Sequence, residues 1–350
     1  MMRTIASTLV TLLLVVGLLS AVGLRWAWDN LNTPFRGYAE PERVIVIEPG
    51  LGGRQIIDLL VAEGVLPHPH LSRLYLRFVL PGESLKAGEY RFYDTPTPIE
   101  VLDKLVHAQV LTHRVTILEG LTLEETAQHL VDSGFGDLDR FLIAMRSPEL
   151  IADLDQQAED LEGYLFPDTY ALASGTDESE IVAILVARTR RQLARHIEPM
   201  LSSALTLSLR EIVILASIVE KEALVDAERP IIAGVYASRL ARGMGLYADP
   251  TVIYALKRMG NWNGNLRRPD LKLDSPYNTY RYPGLPPGPI SSPGLASLQA
   301  AARPADVPFL YFVSRNDGTH AFAETLAEHN RNVYIWQKKF WRDRWSSERK

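Results

Sequence analysis

The chain has 350 residues, 47% hydrophobic and 23% charged, with a formal net charge of −5 and no cysteine. This is globular composition, long enough for two or three compact units. It argues against a nucleic-acid partner, whose phosphates select a basic surface, and it excludes disulfides, thiol nucleophiles and zinc–thiolate sites.

Residues 1–3 form a short tail with one arginine, Arg3. Residues 4–24 carry no charge and are dominated by Leu, Val and Ala, long enough for the roughly 20 residues that cross a bilayer. Arg3 precedes the segment; Arg25, Trp26 and Trp28 follow it. That order predicts a single transmembrane helix with a cytoplasmic N-terminus, interfacial tryptophans and everything beyond residue 30 exported. A cleaved signal peptide is the rival reading; its apolar region is usually shorter, about 7–15 residues, and no A-x-A-like site follows.

Residues 25–43, with Pro34, Gly37 and Pro41, read as a linker. Val44–Ile47 predicts a strand, Ile56, Leu59, Leu60 and Val65 a helix, residues 88–93 a second strand, and Ile99, Leu102, Leu105 and Val106 a second helix. Residues 44–112 are therefore expected to be a small α+β module.

Residues 113–340 are expected to form a mixed α/β domain, and 341–350 a charged tail. Its first strand is Arg114–Ile117, followed by a helix opened by the Thr122/Glu125 capping box. Residues 138–205 read as mostly helical, broken by an aromatic stretch at 161–170. A second capping box, Ser208/Glu211, opens a helix whose Ile212–Val219 core is nearly all apolar, the mark of a helix buried on every side. Asp226, with Pro230 behind it, is expected to cap the next helix, running to about Arg242. Residues 243–308 are rich in proline and glycine and read as a long, ordered but irregular segment. Residues 309–313 and a strand beginning at His320 predict a hairpin across the Asn316-Asp317-Gly318 turn, followed by a C-terminal helix.

Charge enters abruptly at the end of the apolar helix, as Glu220-Lys221-Glu222. At 100° per residue the two glutamates lie about 200° apart, so one pocket would not use both. Each falls about 80° from the apolar stripe, and the pattern does not choose between them. A carboxylate at a helix C-terminus meets the negative end of the dipole, and burial further disfavours its charge. The result is an acid that keeps its proton near neutrality, as glycosidic cleavage requires. The alternative is a solvated helix end paired with Lys221 or Arg229. Asp249-Pro250-Thr251, Tyr277-Asn278-Thr279-Tyr280 and Gly284-Leu285-Pro286-Pro287-Gly288 are stiff polar–aromatic clusters suited to sugar rings and amides; turn chemistry and core aromatics would produce the same pattern. His320, His329 and Glu328 match no metal-ligand spacing and suit the hairpin and a helix cap. No G-x-S-x-G, Walker A or G-x-G-x-x-G motif occurs.

Residues 215–222 (LASIVEKE), 249–254 (DPTVIY), 277–280 (YNTY), 284–288 (GLPPG) and 328–330 (EHN) occur in an order that resembles the MltG/YceG-like endolytic murein transglycosylases. Glu162-Gly163-Tyr164 and residues 166–169 (FPDT) fit as well, and the resemblance runs from the membrane segment to about Val333. It implies that residues 44–112 are a LysM-like subdomain and that the catalytic glutamate is Glu222, with Glu220 as the fallback. It implies substrate contacts from Asp249, Thr251, Tyr254, Tyr277, Asn278, Tyr280 and Asp168, with no metal and no cofactor. The implied reaction breaks the MurNAc–GlcNAc β-1,4 bond of nascent glycan strands by attack of the sugar's own C6 hydroxyl, leaving a 1,6-anhydro-MurNAc end and limiting strand length. The implied partners are peptidoglycan strands, the inner membrane and the cell-wall synthases. Two alternatives stay open: a muramidase-type hydrolase with Asp168, Asp249 or Asp274 as a second carboxylate, and a non-enzymatic membrane-anchored glycan-binding scaffold.

Overall fold

A computed structural model describes residues 2–201 and 207–347. Met1 of the expected tail, residues 202–205 of the expected helical stretch and the last three residues of the charged tail lie outside the described residues. The chain divides into two compact units, residues 1–113 with 171–175, and residues 114–170 with 176–350.

The first unit opens with α1 (Met2–Asn32), followed by β1 (Arg43–Ile47), α2 (Gly53–Ala62), α3 (Pro69–Phe78), β2 (Gly88–Phe92) and α4 (Pro98–Val106). Within α1, Thr8–Asn32 is long and apolar enough to cross a membrane. The helix does not stop at residue 24 as the composition suggests. Its last turns have a face to bury, with Leu31 7% exposed and Ala27 and Asn30 half-buried. β1 and β2 pair antiparallel, Ile45 opposite Tyr90. Alternation sends Ile45, Ile47, Tyr90 and Phe92 inward against Ile56, Ile57 and Leu60 of α2 and Val101, Leu102 and Leu105 of α4. Each such buried aliphatic side chain contributes about 1.5–3 kcal/mol. α4 starts where Pro98 follows Thr97, whose hydroxyl accepts from Glu100 N while the Glu100 carboxylate accepts from Thr97 N. The sequence pattern does not predict α3, whose apolar residues divide between the core (Tyr75, Leu76) and an exposed stripe.

β3 (Thr112–Thr116) pairs with β4. Between them come α5 (Leu123–Asp132) and α6 (Leu138–Met145); then β4 (Thr169–Ala173) and α7 (Glu178–Gln192) follow. β4 replaces part of the expected helical stretch, because the Tyr170 and Leu172 positions alternate inward. The centre of the second unit is α8 (Leu209–Glu222), with Ile212–Val219 continuously buried. It is surrounded by α9 (Arg229–Ala241), α10 (Asp249–Arg258) and α11 (Leu295–Ala302). The hairpin β5 (Tyr311–Ser314) and β6 (His320–Ala323), then α12 (Leu326–Val333) and α13 (Phe340–Ser347), complete it.

Several details depart from expectation for local reasons. Asp226 does not cap α9. It starts a short 3-10 turn and pairs with Arg229 at 3.3 Å. The Pro/Gly-rich segment is less irregular than it reads, since it contains α10 and α11; Pro250 sits in the first turn of α10, where its missing N–H costs nothing. β5 is half-buried along its length. What remains of the segment is strapped to α8 through Ser217. Its hydroxyl accepts from Ile290 N at 3.0 Å, and its carbonyl accepts from the Ser291 hydroxyl at 3.2 Å. Gly163 (φ +83°) lies so close to this strap that a Cβ there would stand 2.5 Å from Pro289 Cβ.

Candidate active site

α8 delivers two carboxylates to its C-terminal turn, and they point to different surroundings. Glu220 is the occupied one. Its side chain is 5% exposed; Oε1 accepts from Arg229 Nη2 at 3.0 Å and Oε2 from Gly294 N at 2.9 Å. Gly294 is the N-cap of α11, so the carboxylate also sits at the positive end of that helix. Glu220 thus joins α8 to the starts of α9 and α11.

Glu222 is the available one. It lines a cavity of about 570 Å³ together with Tyr236, Arg239, Tyr247, Asp249, Tyr280, Tyr311 and His320. The Tyr236 hydroxyl donates to Glu222 Oε1 at 2.9 Å. Burial pushes the Glu222 carboxyl up to about 7; the Tyr236 hydrogen bond opposes this, the Asp249 charge adds to it and the Arg239 charge again opposes. Arg239, also in the lining, is fixed by its Nε donating to Leu310 O at 2.7 Å and its Nη1 to Leu246 O. In the same cavity the Tyr280 hydroxyl donates to Asp249 Oδ1 at 2.6 Å, and the Tyr280 and Tyr247 rings meet at 5.4 Å. Tyr247 is half-exposed in a left-handed conformation, φ +50°. Such backbone costs on the order of 1–3 kcal/mol and concentrates at functional sites.

The expected site residues therefore separate. Glu222, Asp249 and Tyr280 share the cavity; the others do not face it. Tyr254 lies five residues beyond Asp249, about 140° further round α10. It packs against Tyr277 with centroids 4.9 Å apart. Both rings lie under the Arg258 guanidinium. Thr251 is fully buried and bonds Ala248 O at 2.7 Å and the Thr279 hydroxyl at 3.0 Å. Asn278, expected to meet the sugar, is fully buried as well; its amide donates to Leu271 O and Leu273 O at 3.0 and 2.7 Å, and its Oδ1 accepts from Tyr280 N. A planar amide with several turn carbonyls in reach satisfies them first, so Asn278 shapes the loop that presents Tyr280. Asp168 accepts from Arg188 Nε at 2.6 Å at the start of β4.

Tyr236, Arg239, Tyr247 and His320 were missed as site residues. A signal existed for the first two: with Ile232 they fall on one stripe of α9 (i, i+4, i+7), where a tyrosine and an arginine are out of place unless partnered. His320 Nδ1 faces Glu228 Oε2 at 2.7 Å, pinning β6 to the turn before α9. Glu162 is a second perturbed acid: it is 3% exposed, burial pushes its carboxyl up to about 8, and it accepts from Leu123 N at 3.1 Å.

The sequence profile of the YceG-like family matches residues 45–334, most of the chain. The chain belongs to the YceG-like family. A family relative named endolytic murein transglycosylase from Bacillus subtilis (strain 168) is 29% identical over 303 residues, covering 82% of each chain. One of the same name from Streptococcus pneumoniae serotype 2 is 28% identical over 358 residues, covering 93% of this chain and 64% of the relative. The chain thus spans a little under two thirds of the streptococcal protein's length. The crystal structure of a YceG-like protein from Listeria monocytogenes superposes with a TM-score of 0.57 at 30% identity, covering 84% of this chain and 99% of that one. The YceG-like match takes in α8, the cavity residues from Glu222 to His329, and the Glu162–Gly163–Tyr164 stretch.

Proposed function

We propose that this YceG-like protein is an endolytic murein transglycosylase and that Glu222 is its acid–base residue. The observation that carries the reading is the half-buried Glu222 carboxyl lining an aromatic-walled cavity, held up to about 7. The names of the Bacillus and Streptococcus relatives support the same activity.

In the proposed reaction Glu222, protonated at rest, gives its proton to the GlcNAc O4 as the MurNAc C1–O4 bond breaks. The carboxylate so formed takes the proton of the MurNAc C6 hydroxyl as that oxygen bonds to C1. The products are a free 4-hydroxyl and a 1,6-anhydro-MurNAc end, no water is consumed, and Glu222 ends protonated again. A group that starts and ends as an acid is served by a carboxyl whose burial keeps the proton on near neutrality. Tyr236 orients it, Tyr247 offers a ring face to a sugar, and Asp249 with Tyr280 lines the same cavity.

One observation favours a second reading. Asp249 shares the cavity with Glu222, whereas Asp168 is paired with Arg188 and Asp274 is an exposed partner of Arg281 and Tyr282. A muramidase-type hydrolase would use Asp249 to direct water. Mass spectrometry of glycan digested by the purified protein separates the two. Anhydro-capped fragments are expected, absent with Glu222→Gln; fragments heavier by one water would establish hydrolysis.

The remaining organisation is proposed with the function. The segment at residues 4–24 anchors the chain in the inner membrane with its N-terminus in the cytoplasm. Residues 44–112 form a LysM-like subdomain, 113–340 the catalytic domain, and 341–350 a charged tail. Cutting beside the membrane would limit nascent strands as the cell-wall synthases extend them.

A further inference from the structure

Beyond α1, apolar side chains of the first unit mostly pack on its core, with Val44, Val46 and Tyr93 exposed, and α3 keeps a row of its own outside. Ser72 is buried, and Tyr75 and Leu76 pack on the core. The other side of the helix carries Leu71, half-buried, with Leu74 51% and Phe78 72% exposed; Val79, at the C-cap, is 54% exposed. Leu71, Leu74 and Phe78 are spaced i, i+3, i+7, one stripe spanning about 10 Å. Contiguous exposed apolar surface of this kind is a mark of an interaction site.

The position of α3 says what covers it. His68, its N-cap, stands 6.5 Å ring to ring from Trp26 of α1, and Trp26 lies only two residues, about 3 Å of rise, beyond the end of the uncharged run at Leu24. Tryptophan in that place marks the level of a membrane–water boundary, so the first turn of α3 is held at that level. The connection is stiff. After Asn32 the chain is fastened by Phe35 N to Pro96 O at 3.0 Å and Gly37 N to Gly64 O at 2.8 Å. The two glycines approach so closely that a Cβ on Gly64 would meet Gly37 C at 2.8 Å. Charge agrees with the apolar pattern: Arg77 is exposed beside Phe78, its guanidinium 5.6 Å from the ring centroid, and α3 contains no acidic residue.

We infer that the Leu71–Leu74–Phe78 stripe of α3, with Val79 and Arg77, docks onto the anionic lipid surface on the side where α1 leaves the membrane. Apolar side chains reach the headgroup–acyl boundary while the arginine meets lipid phosphate, the division of labour of an interfacial helix. The consequence is orientational: an anchor by one helix alone leaves a module free to swing, whereas a second contact beside it sets which face of the module looks away from the bilayer. The inference rests on the reading of α1 as a membrane span.

The test exploits the absence of cysteine. Leu19→Cys, within the apolar run, and Leu74→Cys and Phe78→Cys on α3 are labelled singly with an environment-sensitive fluorophore. The full chain is placed in nanodiscs of phosphatidylcholine and phosphatidylglycerol. Quenching by doxyl-labelled lipid is compared with quenching by a water-soluble nitroxide, and circular dichroism checks each fold. Labels at 74 and 78 are expected to be quenched at least fivefold more efficiently by the lipid-borne group. Arg77→Glu is expected to reduce that preference several-fold. If the label at 19 is reached by lipid but those at 74 and 78 are reached from water, the docking fails while the span stands. Shielding of 74 and 78 from both quenchers would mean cover by protein or glycan and equally overturns it. If the label at 19 is not reached by lipid, the span itself is lost and the docking with it.

Discussion

The Tyr236 hydroxyl and the Glu222 carboxylate meet at 2.9 Å, and this bond works against the burial that raises the acid. A donor to a carboxylate stabilises its charged form. Removing the donor therefore pushes the Glu222 pKa further up. For the wild-type protein, cleavage that needs the protonated acid is expected to fall about tenfold per pH unit above about 7. In Tyr236→Phe the alkaline limb moves to higher pH while the maximal rate drops, because the carboxyl is less well oriented. A pH profile of kcat/KM on a defined glycan substrate checks both; a limb that moves down or stays put would contradict the assigned hydrogen-bond role.

Glu222 also bears on stability. Its folded pKa lies above the unfolded value of 4.5, so between about 4.5 and 7 the folded state holds more of the proton. Its contribution is fully present below about 4.5 and is lost as pH rises through about 7, on the order of 3 kcal/mol in all. Glu222→Gln removes this term, since a neutral amide can still accept from Tyr236. The difference in unfolding free energy, variant minus wild type, is expected to grow from pH 5 to pH 8 in the variant's favour. Denaturant titrations at the two pH values measure it, and a flat difference would refute it.

Glu220→Ala should do the opposite, costing stability without redefining the chemistry. It leaves Arg229, 9% exposed at the side chain, with Asp226 at 3.3 Å and Glu119 at 3.8 Å, and deprives Gly294 N of its acceptor. A loss of roughly 1–3 kcal/mol is expected, read as a lower denaturant midpoint. The protein that remains folded keeps its alkaline limb near 7. Complete loss of cleavage by well-folded Glu220→Ala would move the acid–base role to Glu220.

Gly163→Ala tests the strap around α8. The new Cβ meets Pro289 at 2.5 Å on a backbone at φ +83°, so a cost of about 1–3 kcal/mol or more is expected. Gly175→Ala shares a positive φ of +76° but has open space around it. It should lose less, and thermal melting of the pair separates crowding from backbone strain.

What could be read in advance follows from how local each signal is. The Thr122/Glu125 and Ser208/Glu211 capping boxes are local codes, and both helices begin there. The β5–β6 hairpin follows from its Asn-Asp-Gly turn, and the all-apolar run of α8 gave its burial. Helical arithmetic also required Glu220 and Glu222 to diverge. α10 is hidden because a proline that begins a helix looks like one that breaks it, and α11 because the Pro293-Gly294 pair before it reads as a turn. Asn278 and Thr251 misled because a polar residue near a site reads alike whether it faces substrate or turn carbonyls.

From the sequence alone come the apolar N-terminal helix, the buried helix with two acids at its end, and the motif order of a YceG-like chain. These rest on periodicity and short-range chemistry, which neighbouring residues suffice to specify. Only the tertiary structure decides which acid is free, because that depends on what other helices bring to each side of α8. Arg229 and the α11 N-terminus occupy Glu220, while Tyr236 and an open cavity face Glu222. Desolvation and charge pairing are sums over groups distant in the chain, so no local pattern contains them.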